Sequence, residues 1–368
     1  MEGTPPEPVE RQPGDQRWVL HVDLDMFLAA VEVLRHPELA GKPVVVGGRG
    51  IVNERAVVST ASYEARELGI RSGMPLRAAY KKCPDAVFLP VDFPVYEAAS
   101  AEVMATLRAL EWGGVPVVLE VLGWDEAFVG AGDGHGPLGD PEAFAQEVRA
   151  AVLAATRLHC SVGIGNNKLQ AKIATDFGKP RGTYTITGAT WFDEMGDRPT
   201  RALWGVGAKI AGRLETHGIR TVRDLAAVDP QELVGEFGPT MGPWFRRLGR
   251  GVDSSPVDAT PWVARAHGRE ETYQRDLEWS EVPDAVRALT QQALTDIDKE
   301  GRPAQRVFLK VRYRNFFTLT RSRKLPEPSN DLTVLADAVV ALLAKVEQDK
   351  PVRLLGVRLE MTEPAGGY

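Results

Sequence analysis

The sequence is poor in cysteine, in long apolar runs and in net positive charge, and each shortage excludes something. Its only cysteines, Cys83 and Cys160, lie far apart without metal-ligand spacing. They read as reduced packing residues, and no zinc site is implied. No apolar run is long enough to span a bilayer and no signal-peptide core opens the chain, so the expectation is a cytoplasmic protein without a membrane partner. The formal net charge of −6 counts against a nucleic-acid partner unless Lys and Arg are locally clustered. At 368 residues the chain is too long for one ordinary core and is expected to be multi-domain.

Against that background, two short stretches place acids where a strand should be apolar. Val19 to Leu28 reads Val-Leu-His-Val-Asp-Leu-Asp-Met-Phe-Leu. In a strand, Asp23 and Asp25 point to the same face, and two like charges there ask for a divalent cation. The simpler reading ends the strand at Asp23 and uses Asp25 to cap the helix that begins at Phe27. The second stretch, Gly123-Trp124-Asp125-Glu126-Ala127-Phe128-Val129, follows an alternating strand from Val115 to Leu122. One shared metal centre would answer both acidic clusters.

Other segments carry weaker signals. Residues 1–17 are rich in Pro, Gly and charge and read as a disordered leader. Strands are expected at Val44 to Val46 and Ala56 to Thr60, then a helix from Ser62 to Leu68 on which Tyr63 and Arg66 share a face. That pair could grip phosphate oxygens, but alone it reads as a solvated helix face. Gly163-Ile-Gly-Asn-Asn-Lys168 does not have Walker spacing, yet Lys168, Lys172 and Lys179 concentrate positive charge around the following helix. The turn Gly205-Val206-Gly207 before Lys209 could hold a nucleic-acid phosphate or simply join two helices.

The last third predicts strand, helix, two strands, helix, strand: 265–273, 282–299, 306–313, 317–324, 332–346 and 352–361. Between residues 302 and 324 lie Arg302, Arg306, Lys310, Arg312, Arg314, Arg321, Arg323 and Lys324 with no acid among them. Val307, Leu309 and Val311 alternate with Arg306, Lys310 and Arg312, which predicts an apolar core face and a basic outer face suited to a polyanion.

Together these stretches resemble a Y-family DNA polymerase of the DinB (DNA polymerase IV) type over residues 18–362. The resemblance rests on Val-Asp-Leu-Asp-Met-Phe, Ser-Tyr-Glu-Ala-Arg, Asp-Glu-Ala-Phe, the run from Gly-Ile-Gly-Asn-Asn-Lys to Lys-Pro-Arg-Gly, and Arg-Leu-Leu-Gly-Val-Arg, in the family's order. It implies an α+β, multi-domain right-hand polymerase. The palm would be residues 18–28 and 92–186, the fingers 29–91, the thumb 187–250, a linker 251–262, a C-terminal βαββαβ little finger 263–362 and a tail 363–368. The implied activity is low-fidelity, translesion addition of nucleotides to a primer 3′-hydroxyl on primer-template DNA, by a monomer that uses two Mg²⁺ or Mn²⁺ ions.

Residue by residue, the resemblance makes Asp23, Asp125 and Glu126 the catalytic carboxylates, with the Leu24 carbonyl as a further metal ligand. Phe27, Leu28, Thr60, Tyr63, Arg66 and Lys179 would meet the incoming nucleotide. Gly205, Gly207, Lys209, Arg306, Lys310, Arg312, Arg314, Arg321 and Arg323 would meet DNA. Asp25 has no such role in the family, so its cap reading stands.

Four departures from the family pattern stand out. Gly123 replaces a usual Ser, Trp124 a small aliphatic residue, and Trp204 a Pro. Leu28 stands where the family, outside an actinobacterial-like variant, usually has Tyr or Phe as a gate against a 2′-hydroxyl, which predicts ribonucleotide as well as deoxynucleotide use. The tail from Thr362 to Tyr368 shows no apolar clamp-binding peptide, so docking to a sliding clamp is not implied. Two other readings compete: a haloacid-dehalogenase-like phosphatase, from Asp-x-Asp after an apolar strand, and a non-catalytic DNA-binding relative of the polymerases.

Overall fold

The computed structural model describes residues 18–131 and 139–367. The expected leader, most of the glycine-rich loop at 130–139 and Tyr368 lie outside them. The chain forms two compact units, one of residues 1–46, 59–72 and 85–260, the other of residues 47–58, 73–84 and 261–368.

The first unit is built on a five-stranded sheet in the order Thr183–Ile186, Cys160–Gly165, Val19–Leu24, Glu126–Gly130, Val118–Val121. Val19–Leu24 is central and antiparallel to both neighbours, with Asp23 opposite Glu126 on one side and Ser161 on the other. Period-two alternation then sorts its side chains. Leu20, Val22 and Leu24 enter a core with Tyr96, Val103 and Leu107 of helix Phe93–Arg108 and Phe144, Val148 and Val152 of helix Pro141–Thr156. Val19 packs instead with Phe128 and Ala171, and His21 hydrogen-bonds Thr175 at 2.8 Å, both toward helix Lys168–Gly178.

That helix lies close on its strand because Gly163 and Gly165 have no side chain. A Cβ on Gly163 would fall 2.0 Å from the Ala171 carbonyl oxygen and 2.3 Å from the Thr175 nitrogen; one on Gly165 would fall 2.6 Å from the Ala171 nitrogen. These two glycines therefore serve strand-to-helix packing.

A small sheet in the order Thr60–Ala61, Val44–Val46, Val87–Leu89 carries the helix Tyr63–Glu67. The strand expected from Ala56 is shorter than its sequence pattern, because Val57 makes an isolated bridge to Pro75 and only Thr60 and Ala61 pair with Val45 and Val46. Ser62 caps the helix and does more. Its hydroxyl accepts from Ala65 N–H and from Val44 N–H, and donates to the Lys42 carbonyl.

Further along the first unit, Trp191–Met195, Ala208–Thr216, Val222–Ala227 and Pro230–Gly249 form a helical cluster, the last helix broken at Gly238. In the second unit the expected β-α-β-β-α-β order is present, as Ala266–Leu277, Val282–Glu300, Ala304–Tyr313, Thr318–Ser329, Leu332–Val340 and Val352–Met361. Its sheet order is first, fourth, second, third in that strand sequence. Val307, Leu309 and Val311 are fully buried, as the alternation predicts.

Replacing Gly163 by Ala forces the helix off the strand and should lower unfolding free energy by about 3 kcal/mol. The same change at Gly212, inside helix Ala208–Thr216 with open space around it, should raise stability by about 0.5–1 kcal/mol. Urea unfolding of both variants measures the contrast.

Candidate active site

The central strand ends at a cleft of about 190 Å³. Asp23, Leu24, Phe27, Thr60, Tyr63, Arg66, Asp125 and Lys179 all line it, together with Met26, Ser59 and Ser72. Asp125 reaches it from a tight turn in which Leu122 and Gly123 N–H groups both donate to the Glu126 carbonyl. The turn is fastened to the central strand by Leu24 N–H, which donates to the Asp125 carbonyl at 2.8 Å.

The carboxylates are placed where water is scarce and cations answer them. Burial raises the pKa of Asp23, and Lys179, whose ammonium lies 2.9 Å from it, opposes that shift. Burial and then the adjacent charge of Glu126 raise the pKa of Asp125. Glu126 goes the other way, held down at about 2 by hydrogen bonds from His21 and Lys172 despite its burial. Among the described residues, ligand atoms of His21, Asp23 and Glu126 approach within 4.8 Å of one another. His21 is already bound to Thr175 and Glu126, so the oxygen donors are the ones open to a hard cation.

Leu28 is placed differently from its neighbours. It is half-buried against the core under the central sheet and is not part of the cleft wall. Glu126 also stands outside that wall, drawn to Lys172 and His21.

Comparison with known proteins decides what this cleft belongs to. Residues 22–176 match the impB/mucB/samB family, residues 264–368 that family's C-terminal domain, and residues 201–253 the thumb domain of DNA polymerase iota. The chain is 49% identical over 347 residues to "DNA polymerase IV 2" of Mycobacterium tuberculosis, covering 94% of this chain and 98% of that protein. It is 38% identical to DNA polymerase IV of Methanoculleus marisnigri, covering 94% and 95%. Among solved structures, a Dbh-Dpo4-Dbh Y-family polymerase chimera superposes with a TM-score of 0.79 at 26% identity, covering 93% and 98%. An insertion ternary complex of Dbh DNA polymerase gives 0.64 at 27%, covering 94% and 98%. The chain belongs to the Y-family DNA polymerases, DinB type. It is a DNA-directed DNA polymerase of the translesion class, with the family's thumb and C-terminal little finger.

In this polymerase Asp25 is not a helix cap. The residue preceding the helix is Met26, in the left-handed region at φ 46°, and no side chain caps that end. Asp25 is only 3% exposed. Its carboxylate accepts from the Tyr63 hydroxyl at 2.6 Å, the Ser161 hydroxyl at 3.0 Å and the Arg181 N–H at 2.9 Å. Burial and that bond to Asp25 push the Tyr63 pKa up, so the phenol remains a donor. The phosphatase reading fails here too, since it needs the second aspartate at the cleft. Sequence reasoning misassigned Asp25 as a cap and gave Ser161, Arg181 and His21 no role. Only His21 carried a signal, standing two residues before Asp23 and hence on its face.

The residues expected to meet DNA are dispersed. Gly205 adopts φ +91° beside Trp244, while Gly207 and the exposed Lys209 stand at the start of helix Ala208–Thr216. In the little finger the basic row is not of one sign. Arg306 pairs with Glu360 at 3.5 Å on the neighbouring strand Val352–Met361, and Lys310 with Glu270 at 2.8 Å on Ala266–Leu277, the strand beyond it. Those acids are remote in sequence, so the run from 302 to 324 could not show them. Arg312 donates to Thr318, Arg321 to the Lys345 carbonyl, Arg314 lies 3.6 Å from Asp276, and Arg323 is exposed.

Asp25→Ala leaves three donors without their acceptor, the Ser161 hydroxyl among them buried, and should cost about 2 kcal/mol of stability while raising KM for the incoming nucleotide more than it lowers kcat. Steady-state kinetics and urea unfolding test this, and wild-type values for both would refute it. Gly123→Ser should keep kcat/KM within about twofold of wild type, because a Cβ there would meet only Asp125 and Glu126 atoms at 3.7 and 3.9 Å.

Proposed function

We propose that this polymerase extends a primer 3′-hydroxyl through two divalent cations held by Asp23, Asp125, Glu126 and the Leu24 carbonyl, with the nucleotide triphosphate held by Tyr63, Arg66 and Lys179. The observation that supports this reading is convergence. Two carboxylates from separate strands and two cationic side chains and a phenol from other segments share one cleft.

The donor set fits the ions, being carboxylate and carbonyl oxygens suited to Mg²⁺ or Mn²⁺. Such ions, when bound, lower the pKa of a hydroxyl nucleophile and stabilise a pyrophosphate leaving group. The protein's own residues do the rest. Asp23 and Asp125 are fixed on adjoining strands by the Leu24–Asp125 backbone bond, so their separation is set by the sheet. Lys172 and His21 keep Glu126 ionised. Arg66 is held by its Nε–H bond to the Ala61 carbonyl at 2.9 Å, which leaves the rest of the guanidinium toward the cleft it lines. Lys179 supplies a mobile positive charge between Asp23 and substrate phosphate.

The second part of the proposal, relaxed sugar discrimination, rests on the family resemblance: Leu28 stands at the gate position without a large ring, and its own side chain packs on the core while Phe27 lines the cleft. An apolar wall rejects an added hydroxyl by only on the order of 10²-fold, so a smaller wall loses much of it. Phe27 is not free to refill the space, being 3% exposed and edge-on to Tyr96 at 6.5 Å.

Primer extension with Mg²⁺ and with Mn²⁺ is the direct test: wild type should extend and Asp125→Ala should not. Extension that survives Asp125→Ala would overturn the carboxylate assignment. Leu28→Phe should raise the ratio of kcat/KM for dNTP over rNTP by at least about tenfold; an unchanged ratio would remove Leu28 from sugar selection.

A further inference from the structure

The hairpin that joins Ala304–Tyr313 to Thr318–Ser329 ends in two adjacent aromatic residues turned out to solvent. Phe316 is 63% exposed and Phe317 61%. Large apolar side chains at that exposure lose the contacts that would keep them in a soluble protein, and here they are held outward by the backbone. Phe316 has φ +67°, a region that non-glycine residues rarely adopt. The tip is pinned in that form. Phe316 N–H donates to the Tyr313 carbonyl at 2.9 Å, Phe317 N–H to the Asn315 side chain at 3.1 Å, and the Thr318 hydroxyl to the Phe316 carbonyl at 3.2 Å.

The surroundings state what the rings are for. The Arg353 guanidinium lies over the Phe316 ring at 4.6 Å, and Phe317 stacks nearly parallel to Tyr313, 8° apart in plane with centroids 6.2 Å apart. Arg314 N–H is tied to the Pro351 carbonyl, which brings Arg314 beside the strand that carries Arg353. Burial lowers the Arg353 pKa, and the neighbouring positive charges of Arg55 and Arg312 lower it further. Guanidiniums that crowd one another call for an anion. The acid facing them is Asp276, which already accepts from Arg55 and lies 3.6 Å from Arg314; Lys350, near Tyr313, pairs with Asp349. Flat rings interleaved with guanidiniums form the surface that binds a nucleic-acid strand with its bases unstacked, the rings taking base faces and the cations taking phosphates. A duplex offers phosphates but no free base faces.

We propose that Phe316 and Phe317, with Arg314 and Arg353, form a stacking platform for an unpaired DNA strand, such as the template ahead of the primer end. The platform rests on the DNA-polymerase reading but is distinct from contacts to duplex backbone.

The test measures equilibrium binding of fluorescein-labelled DNAs to the full-length protein by anisotropy at one fixed salt concentration. The probes are a blunt duplex, the same duplex with a 5′ thymidine overhang, and that overhang with abasic spacers in place of its bases. Wild type should bind the thymidine overhang more tightly than the abasic one. The double variant F316A/F317A should lose about tenfold on the thymidine overhang, lose nothing on the blunt duplex, and no longer distinguish bases from spacers. F316Y/F317Y should retain the preference. An equal loss on all three probes, or a wild type blind to the spacers, overturns the platform. So does a wild-type dimer in sedimentation that F316A/F317A dissolves, since the rings would then cover each other between copies. Failure of wild type to bind the blunt duplex would instead count against the DNA-polymerase reading, and is distinguishable for that reason.

Discussion

The structure depends on carboxylates kept ionised with little water around them. Three aspartates and a glutamate crowd the end of the central strand, and three of the four have partners of their own. Asp23 has the ammonium of Lys179, Glu126 has Lys172 and His21, and Asp25 has two hydroxyls and an amide. Burial works against the charge of Asp23 and Glu126, and Lys179, His21 and Lys172 work against burial. The answering groups come from segments far apart in the chain, so the requirement to satisfy the acids is also what assembles the site.

Alternation within one six-residue strand then divides the labour. Leu20, Val22 and Leu24 anchor the sheet to the helices beneath it. His21 and Asp23 share the other face with Glu126 across the strand pair. The glycines at 163 and 165 let helix Lys168–Gly178 come close enough for Lys172 and Thr175 to reach that polar face. A shift of one residue in register would exchange the two sets and destroy both core and site.

Much of this was legible in the sequence because it depends on local pattern. The buried acids at 23, 125 and 126, the strand-helix order of the last hundred residues and the Tyr63–Arg66 spacing are all properties of short windows. What could not be read depends on which segments become neighbours. Asp25 looked like a cap because nothing near it in sequence could show Ser161 or Arg181. The basic row looked uniform because Glu360 arrives on the neighbouring strand and Glu270 on the one beyond it, and only the sheet order shows either. The role of the glycines in Gly-Ile-Gly was not legible because how closely the following helix packs on their strand is not a property of the linear pattern.

The Ser62 hydroxyl has a consequence for how substrate affinity responds to heat. The helix that carries Tyr63 and Arg66 is five residues long, too short to hold itself together in water. It is held instead through one side chain bonded to the backbone of Lys42 and Val44. On the proposed role of Tyr63 and Arg66, the grip on the triphosphate belongs to the same local unfolding unit as a three-residue strand. On warming, that small unit opens before the five-stranded sheet does, so nucleotide affinity decays at temperatures where the carboxylate site is still intact.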